Sequence, residues 1–330
     1  MEHEEKQILS VRNLVVEYTS DKEIVQAVNG VSFDLNYGKT LGLVGETGAG
    51  KTTIAKSILR ILPEPQARIK SGEILLDGEN VLDYSDEQMR KIRGKRVAMV
   101  FQDPMTALNP VVRIGQQIAS GIRLHENVSK AEANERAMEI LELVGISRDR
   151  FREYPHQFSG GMKQRVVIAI ALACNPDLLI ADEPTTALDV TIQAQVLELI
   201  GSLQKKKNSA MILITHDFGI VAENCDDVAV TYAGQIVESG TKQQLFKRPL
   251  HPYTEGLFQA IPSMTGEVDR LKPIWGAPPD PTHLPKGCPF SIRCPYAKEA
   301  CLMGPIPVTT MEDGPQVRCL RWAGGEASQA

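Results

Sequence analysis

Apolar and polar residues alternate along two early stretches of the chain, residues 8–18 and 31–35. Such alternation is typical of strands that bury one face, so both stretches predict strands of an antiparallel sheet. Short apolar runs then recur at 41–44, 74–76, 97–101, 178–181 and 211–214. Helical stretches lie between several of these runs, which indicates a mainly parallel sheet with both faces covered. The pattern as a whole predicts an α/β fold.

Helix-like periodicity is found at 52–62, directly after the first apolar run, and at about 190–206. The segment at about 103–175 is mostly helical in character and interrupts the alternation of strand and helix. We therefore predict a helical subdomain there, with the spacing of Ser129 and Glu132 typical of a capping box. The two apolar stretches that flank Ala233-Gly234 predict a hairpin.

The composition changes near Arg248, after which prolines become frequent. A segment of this kind predicts loops and short helices and no continuation of the sheet. We therefore divide the chain into a first domain at 1–247 and a C-terminal extension at 248–330. The extension contains four of the six cysteines: Cys288, Cys294, Cys301 and Cys319.

Bulk properties narrow the classes of function. The chain has 330 residues and a net charge of −5, which does not favour general binding to nucleic acid. The acidic, polar start MEHEEKQ lacks the pattern of a signal peptide. The longest apolar run, 166–174, is about half of the roughly 20 residues that a membrane span requires. We therefore expect a cytosolic protein, whose thiols stay reduced.

The stretch GETGAGKTT contains the phosphate-loop pattern G-x-x-x-x-G-K-S/T between a predicted strand and a predicted helix. Glycines let the backbone of such a loop curl until successive N–H groups enclose an anion. Lys51 adds a positive charge for the outer phosphates, and the Thr52 hydroxyl is placed to bind Mg²⁺. The residues predicted to contact the nucleotide are Gly45, Glu46, Thr47, Gly48, Ala49, Gly50, Lys51, Thr52 and Thr53.

Two acids, Asp182 and Glu183, end the apolar run LLIADE. A buried strand would deliver both carboxylates to its C-terminal tip. Asp182 would hold magnesium there, usually through water, and Glu183 would polarise the attacking water. For this motif alone, a strand that simply ends in solvated acids is the alternative.

A second glycine pair occurs in FSGGM, where Ser159, Gly160 and Gly161 precede a predicted helix over 163–174. A serine hydroxyl, two unhindered N–H groups and a helix N-terminus together form a further anion site. One nucleotide does not obviously need two such loops. A plain helix N-cap is the alternative role of Ser159.

The order of these motifs, with TALD at 186–189 and a lone histidine after the strand at 212–214, resembles that of ABC-transporter ATPase subunits. The resemblance covers about 9–240 and implies a P-loop NTPase fold: an ABC-type nucleotide-binding domain with a RecA-like core, an antiparallel β subdomain and a helical subdomain. It also implies two cassettes facing head to tail, in which the SGG loop of one binds the γ-phosphate held by the other. The usual signature reads LSGGQ, and Phe158 and Met162 depart from it.

The resemblance implies roles for further residues. Tyr18 would stack on adenine, and Asp189 would bridge the two cassettes. Gln102 would touch Mg²⁺ and water, and His216 would contact the γ-phosphate, so both join Glu183 as implied catalytic residues. The implied ligands are ATP and Mg²⁺.

The four cysteines of the extension follow the spacing C-x5-C-x6-C-x17-C. Neither zinc-finger nor bacterial ferredoxin spacing is matched, so the residues alone leave a 4Fe–4S cluster and zinc open. HPYT at 251–254 and GCPFSIRCP at 287–295 resemble the C-terminal extension of peptide/nickel importer ATPases. Because some dipeptide-importer members hold an iron–sulfur cluster there, the resemblance favours the 4Fe–4S cluster, with zinc or free thiols as alternatives.

The resemblance therefore implies an ATPase subunit of a di- or oligopeptide importer, peripheral on the cytoplasmic side of the cell membrane. Its partners would be a second ATPase subunit, identical or related, two transmembrane permease subunits and an extracytoplasmic solute-binding protein, without nucleic acid. The alternatives are an importer of nickel or another small solute and a non-transport ABC-type ATPase.

Overall fold

The computed structural model describes residues 6–20, 23–184, 190–260 and 273–323. Its strands are β1 (Gln7–Ser20), β2 (Glu23–Asn36), β3 (Thr40–Val44), β4 (Ala67–Leu76), β5 (Glu79–Asn80), β6 (Val97–Val100), β7 (Leu178–Asp182), β8 (Ala210–Thr215), β9 (Asp227–Tyr232), β10 (Gln235–Thr241), β11 (Thr309–Thr310) and β12 (Gln316–Val317). Its helices are α1 (Lys51–Ile58), α2 (Asp86–Ile92), α3 (Pro104–Ala107), α4 (Ile114–His125), α5 (Lys130–Leu143), α6 (Gly160–Leu172), α7 (Val190–Lys207), α8 (Phe218–Asn224), α9 (Lys242–Lys247), α10 (Pro252–Gln259) and α11 (Ala300–Met303). Among these described helices, none has the length and apolarity that crossing a membrane demands.

The chain forms two compact units. Unit 1 comprises Met1–Leu9, Leu35–Thr40 and Leu75–Ile214. Unit 2 comprises Ser10–Asp34, Leu41–Ile74 and Thr215–Ala330. The phosphate loop and the C-terminal segment therefore belong to unit 2, whereas the LLIADE and FSGGM motifs belong to unit 1.

Three strands of unit 1, β6, β7 and β8, pair in parallel. β7 lies between β6 and β8, with Leu178 opposite Val97 on one side and Ala210 on the other. Every residue of these three strands is buried. Strands buried on both faces have no polar face, which is why they are unbroken apolar runs in the sequence. The predicted parallel sheet is confirmed.

Helices α4, α5 and α6 pack against one another in unit 1, within the segment predicted to be helical. Ile114, Ile118 and Ile122 recur at intervals of four and are fully buried on one face of α4. The Ser129 hydroxyl accepts a hydrogen bond from the Glu132 N–H at 3.1 Å, so Ser129 caps α5. The helices are confirmed, and the bounds of a subdomain at about 103–175 stay a prediction.

Unit 2 contains both parallel and antiparallel strand pairs. β3 pairs in parallel with β9, where Leu43 lies opposite Ala229. β9 and β10 form the predicted antiparallel hairpin, whose turn residues Ala233 and Gly234 both have positive φ angles. β2, β1 and β4 are neighbours in a different sheet, and they confirm the strands predicted from the alternating stretches.

The prediction that the C-terminal segment does not continue the sheet is wrong. β12 pairs with β10, with Val317 opposite Glu238, and β11 pairs with β12. The pairing satisfies N–H and C=O groups that an open sheet edge would leave unpaired. It also buries apolar side chains that the proline-rich composition conceals, and these form one cluster: Leu250, Met311, Val317 and Trp322. All four residues lie within the C-terminal segment, so the segment has an apolar cluster of its own.

Candidate nucleotide-binding site

The predicted phosphate loop connects β3 to α1 in unit 2. β3 is buried throughout, and α1 begins at Lys51 after Gly50, which adopts a left-handed conformation with φ 93°. A side chain at Gly45 would collide with the backbone carbonyl oxygen of Thr231. The loop thus requires glycine both for its conformation and for its close approach to β9, as a backbone that curls around an anion does.

Lys51 places a cation over this loop. Its Nζ donates hydrogen bonds to the backbone oxygens of Gly45 and Glu46 at 2.7 and 3.0 Å. The residue is only 7% exposed, so its charge is weakly screened by solvent. The N-cap Gly50 provides no side-chain hydrogen bond to the first turn of α1. A nearly buried cation and a helix N-terminus without a side-chain cap fit the phosphates of a nucleotide.

Tyr18, the predicted adenine partner, lies beside the start of α1. Its hydroxyl is 3.3 Å from the Thr53 hydroxyl, and its ring is half-buried on β1. Thr52 directly precedes Thr53 in the sequence, and its hydroxyl is an oxygen ligand of the kind that Mg²⁺ prefers. The structure therefore brings Tyr18 to the phosphate loop, and the Thr52 hydroxyl fits the magnesium ion that the resemblance implies.

Asp182 and Glu183 lie at the C-terminal end of β7 in unit 1, as predicted. Asp182 is 2% exposed, and Glu183 is half-buried. Glu183 has φ 44°, and its N–H donates to the Ile214 carbonyl on neighbouring β8 at 2.9 Å. Because a left-handed conformation is uncommon for residues other than glycine, the chain turns sharply at this carboxylate. Gln102 Nε2 donates to Glu183 Oε2 at 2.8 Å, so the structure brings these two predicted catalytic residues together.

The SGG loop begins α6 in unit 1. The Ser159 hydroxyl accepts from the Met162 N–H at 3.4 Å, and Ser159 and Gly160 are exposed. Phe158 and Met162, the two residues that differ from the usual signature, both contact Arg150. Its guanidinium lies 4.6 Å from the centroid of the Phe158 ring and donates to Met162 Sδ at 3.2 Å. The flanking residues therefore pack inward on Arg150, while the serine and the glycine stay accessible.

Two further predicted residues complete the set. His216 follows β8 directly and is exposed, at the strand tip where it was predicted. The next residue, Asp217, caps α8 by accepting from the Gly219 N–H at 2.7 Å. Asp189 lies outside the described residues, so its predicted role between two cassettes stays a prediction.

The sequence analysis missed two residues of the C-terminal segment that contact the phosphate loop. The Glu46 N–H donates to the Tyr253 hydroxyl at 2.9 Å. The Glu46 carboxylate accepts two hydrogen bonds from Arg293, at 2.8 and 3.0 Å. Tyr253 lies in HPYT and Arg293 in GCPFSIRCP, the two stretches on which the resemblance of the extension depends. Their position in these two stretches was the one sequence feature that singled them out, but it does not show what either side chain contacts.

The four cysteines of the C-terminal segment line one cavity of about 230 Å³. Burial raises the pKa of Cys288 to about 11, and it also raises the pKa of Cys294 and Cys319. Among the described residues, no group of three or more Cys, His, Asp or Glu side chains is arranged to hold a metal ion. The prediction of a 4Fe–4S cluster or zinc, with Cys288, Cys294, Cys301 and Cys319 as ligands, is therefore wrong. Its premise, that ligation replaces a missing core, fails because Leu250, Met311, Val317 and Trp322 form an apolar cluster within the segment itself.

Comparisons with known proteins agree with the assignment of the phosphate loop. The chain matches the family described as ABC transporter over residues 28–186. It also matches the family described as oligopeptide/dipeptide transporter, C-terminal region, over residues 237–301. Among solved structures, a dimeric post-hydrolysis state of the ATP-binding cassette MJ0796 bound to ADP and Pi is similar, with a TM-score of 0.65 and 25% identity over 71% of this chain and 98% of that one. The fold is therefore the mixed α/β, P-loop NTPase fold of ABC ATPases.

Similar proteins of known name extend over almost the whole chain. The oligopeptide transport ATP-binding protein AppD of Bacillus subtilis (strain 168) is 48% identical over 98% of this chain and 99% of its own length. The dipeptide transport ATP-binding protein DppD of the same strain is 50% identical over 90% of this chain and 89% of its own length. With about half of its residues shared along nearly its entire length, the chain belongs to the family of ABC transporter ATP-binding proteins.

Proposed function

We propose that this chain is the ATP-hydrolysing subunit that powers an ABC importer of di- or oligopeptides. The observation that carries the proposal is the 48% identity to an oligopeptide transport ATP-binding protein across 98% of the chain. The match of residues 237–301 to the oligopeptide/dipeptide transporter family favours peptides over nickel or another small solute. It equally favours a transporter over an ABC-type ATPase without a membrane partner.

The nucleotide is proposed to bind at residues 45–53, with its adenine on Tyr18. Lys51 supports this role, because its buried ammonium is already held at the loop by two carbonyl oxygens. Thr52, Asp182 and Gln102 are the proposed oxygen donors for Mg²⁺. When bound, Mg²⁺ supplies positive charge that neutralises the phosphate oxygens.

Glu183 is the proposed base that polarises the attacking water. Its Oε2 accepts a hydrogen bond from Gln102, which orients the carboxylate, and its left-handed conformation fixes the direction in which the side chain leaves the strand. His216 is the proposed contact of the γ-phosphate. Ser159 and Gly160 are accessible on unit 1, which supports a role toward a nucleotide held by a second cassette.

We further propose a nucleotide-binding domain at 1–247, with a helical subdomain at about 103–175, and a peptide-importer-type extension at 248–330. The chain contains one phosphate loop and one SGG loop, so a second ATPase subunit, identical or related, would complete each site. Asp189 would contact that subunit. Two permease subunits would provide the path, and an extracytoplasmic binding protein would select the peptide. The chain would then be peripheral on the cytoplasmic side of the membrane.

The variant Glu183→Gln tests the proposed hydrolysis. Glutamine keeps the side-chain size and an oxygen that accepts from Gln102, but it cannot act as a base. We expect ATP affinity to stay within about twofold and phosphate release to fall by a factor on the order of 10² or more. Glu223→Gln, on the exposed side of α8, is the matched control and should leave both values unchanged. Wild-type turnover in Glu183→Gln would refute the role of this residue.

Uptake by cells that carry Lys51→Ala in the chromosomal gene tests the cargo. The substitution removes the cation of the phosphate loop, so the importer should lose its power. We expect uptake of a radiolabelled dipeptide or oligopeptide to fall while nickel uptake is unchanged. Loss of nickel uptake alone would favour the nickel alternative, and normal uptake of both would favour an ATPase outside transport.

A further inference from the structure

One residue of the phosphate loop, Glu46, is held by the C-terminal segment of unit 2. Its N–H donates to the Tyr253 hydroxyl at 2.9 Å, and its carboxylate accepts from Arg293 Nη1 and Nη2 at 2.8 and 3.0 Å. Its carbonyl oxygen accepts from Lys51 Nζ at 3.0 Å. Glu46 therefore connects Lys51 to Tyr253 and Arg293, which lie 207 and 247 residues after Glu46 in the sequence.

Arg293 is fixed in the position from which it reaches Glu46. Its side chain is only 4% exposed. Besides its two bonds to Glu46, it donates to Tyr232 Oη at 3.2 Å and to the carbonyl oxygens of Ile274 and Trp275 at 3.3 and 3.1 Å. A guanidinium has five N–H donors, so these five hydrogen bonds use all of them. Turning away from Glu46 would leave buried donors unpaired, which is unfavourable.

Tyr253 is held equally firmly. The residue is fully buried in the first turn of α10. Its ring centroid lies 4.6 Å from that of Tyr232 and 5.4 Å from that of Phe290. Phe290 belongs to the same GCPFSIRCP stretch as Arg293. The aromatic cluster and the arginine are therefore one assembly, and that assembly contacts both the backbone and the side chain of Glu46.

A glycine-rich loop is conformationally free when nothing outside it restrains it. Gly45, Gly48 and Gly50 all have positive φ angles, so the loop resides in conformations that are otherwise sparsely populated. A fixed Glu46 limits the conformations that the loop samples before it binds. Binding then orders less of the chain, and affinity rises without a new contact to the ligand.

We propose that Arg293 is a positioning residue of the nucleotide site: through Glu46, the C-terminal segment sets the conformation of the phosphate loop and thereby its affinity for the triphosphate of ATP. The inference rests on the proposed nucleotide role of residues 45–53. It gives the C-terminal segment a task within the same chain, independent of any contact with other transporter subunits. Tyr253 also restrains the loop, because its hydroxyl accepts from the backbone N–H of Glu46.

Equilibrium titration of the full chain with a fluorescent ATP analogue tests the inference. Arg293→Gln should raise the dissociation constant on the order of tenfold. The turnover number at saturating ATP should stay within about twofold, because uniform binding is lost and not transition-state stabilisation. Arg293→Lys should recover part of the affinity, because it keeps the charge without the paired donors.

Two additional variants separate positioning from general stability. Tyr253→Phe removes only the hydroxyl and keeps the ring in its cluster, and it should raise the dissociation constant about threefold. In the double variant Glu46→Gln with Arg293→Gln, the effects should not add, because both substitutions remove the same ion pair. Additive effects would overturn the link between the two residues.

Arg321→Gln is the matched control. Arg321 belongs to the same segment and forms an ion pair with Glu255 at 3.1 Å. Its loss should lower the melting temperature and leave nucleotide affinity unchanged. If Arg293→Gln and Arg321→Gln weaken ATP binding equally, or if Arg293→Gln and Tyr253→Phe both bind like wild type, the inference is overturned.

Lys51→Ala distinguishes failure of the inference from failure of the proposed function. It should abolish binding of the analogue if residues 45–53 hold the phosphates. Retained binding in Lys51→Ala would refute the nucleotide role itself. Lost binding in Lys51→Ala together with wild-type affinity in the Arg293 and Tyr253 variants would refute only the positioning role.

Discussion

Acidification should destabilise the chain through one buried histidine, His251. Its Nδ1 accepts from the Tyr253 N–H at 3.1 Å and so caps α10. Its Nε2 is buried and has no hydrogen-bond partner within the described part of the chain. Burial lowers the pKa of His251 to about 3, and the nearby positive charge of Arg321 acts in the same direction. The folded chain therefore holds this imidazole neutral.

The magnitude follows from the difference between the two states. A histidine in an unfolded chain has a pKa of about 6.5, so the unfolded state binds a proton between about pH 6.5 and pH 3 that the folded state does not. The free energy of unfolding then falls with falling pH, by about 1.4 kcal/mol per pH unit below pH 6.5. Between pH 7.5 and pH 5.0 the loss from His251 amounts to about 2 kcal/mol.

A second buried group nearby has the opposite effect. Glu238 accepts from the backbone N–H groups of Leu250 and His251, each at 2.8 Å. Burial raises the pKa of the Glu238 carboxyl, so this residue favours the folded state at low pH and loses that contribution as the pH rises. The pH dependence of wild type alone therefore contains both effects, and a variant is needed to isolate His251.

The assay is urea unfolding at pH 7.5 and pH 5.0, followed by the fluorescence of the buried Trp322. His251→Asn keeps an oxygen that caps α10 but does not titrate, whereas Glu238 is present in both proteins. Wild type should lose about 2 kcal/mol more than His251→Asn on acidification. Equal losses in the two proteins would refute the assignment of a neutral, buried His251.

Two further predictions concern packing and backbone geometry. Trp322→Ala should lower the free energy of unfolding by about 3–5 kcal/mol in urea titrations. The reason is that the indole belongs to the C-terminal cluster and its Nε1 donates to the Leu250 carbonyl at 2.8 Å. A change below about 1 kcal/mol would contradict this packing role. Gly45→Ala should abolish binding of ATP in equilibrium titrations, because the added methyl group meets the Thr231 carbonyl oxygen. Gly78→Ala meets no atom within 4 Å and should bind ATP like wild type, so equal binding by both variants would contradict the steric argument.

The features that could be predicted are local in sequence. A strand buried on both faces, such as β7, is a continuous apolar run in the sequence. The phosphate-loop motif lies within nine consecutive residues. The acids at the end of β7 were found for the same reason. The two-residue strand β12 is too short to show any periodicity, and its partner β10 is remote in sequence, so its pairing could not be found that way.

The missed contacts of the site depend on tertiary structure. Arg293 and Glu46 are 247 residues apart, and nothing in either neighbourhood identifies the other as its partner. Likewise, the departure at Phe158 and Met162 has a physical explanation only once Arg150 is seen to contact both. The cysteine spacing gave the number of thiols but not their arrangement in space, and the described part of the chain has no group of three or more such side chains arranged for a metal ion.

The short strand β12 has a consequence for the behaviour of truncated chains. Without it, the backbone groups of Glu238 and Ser239 on the outer side of β10 would lose their strand partner. The two-residue β11, which lies outermost instead, offers too short a template for a foreign strand. We therefore expect a chain that ends before Gln316 to self-associate through this part of β10, so that the segment whose side chains contact the phosphate loop would also cover a sheet edge.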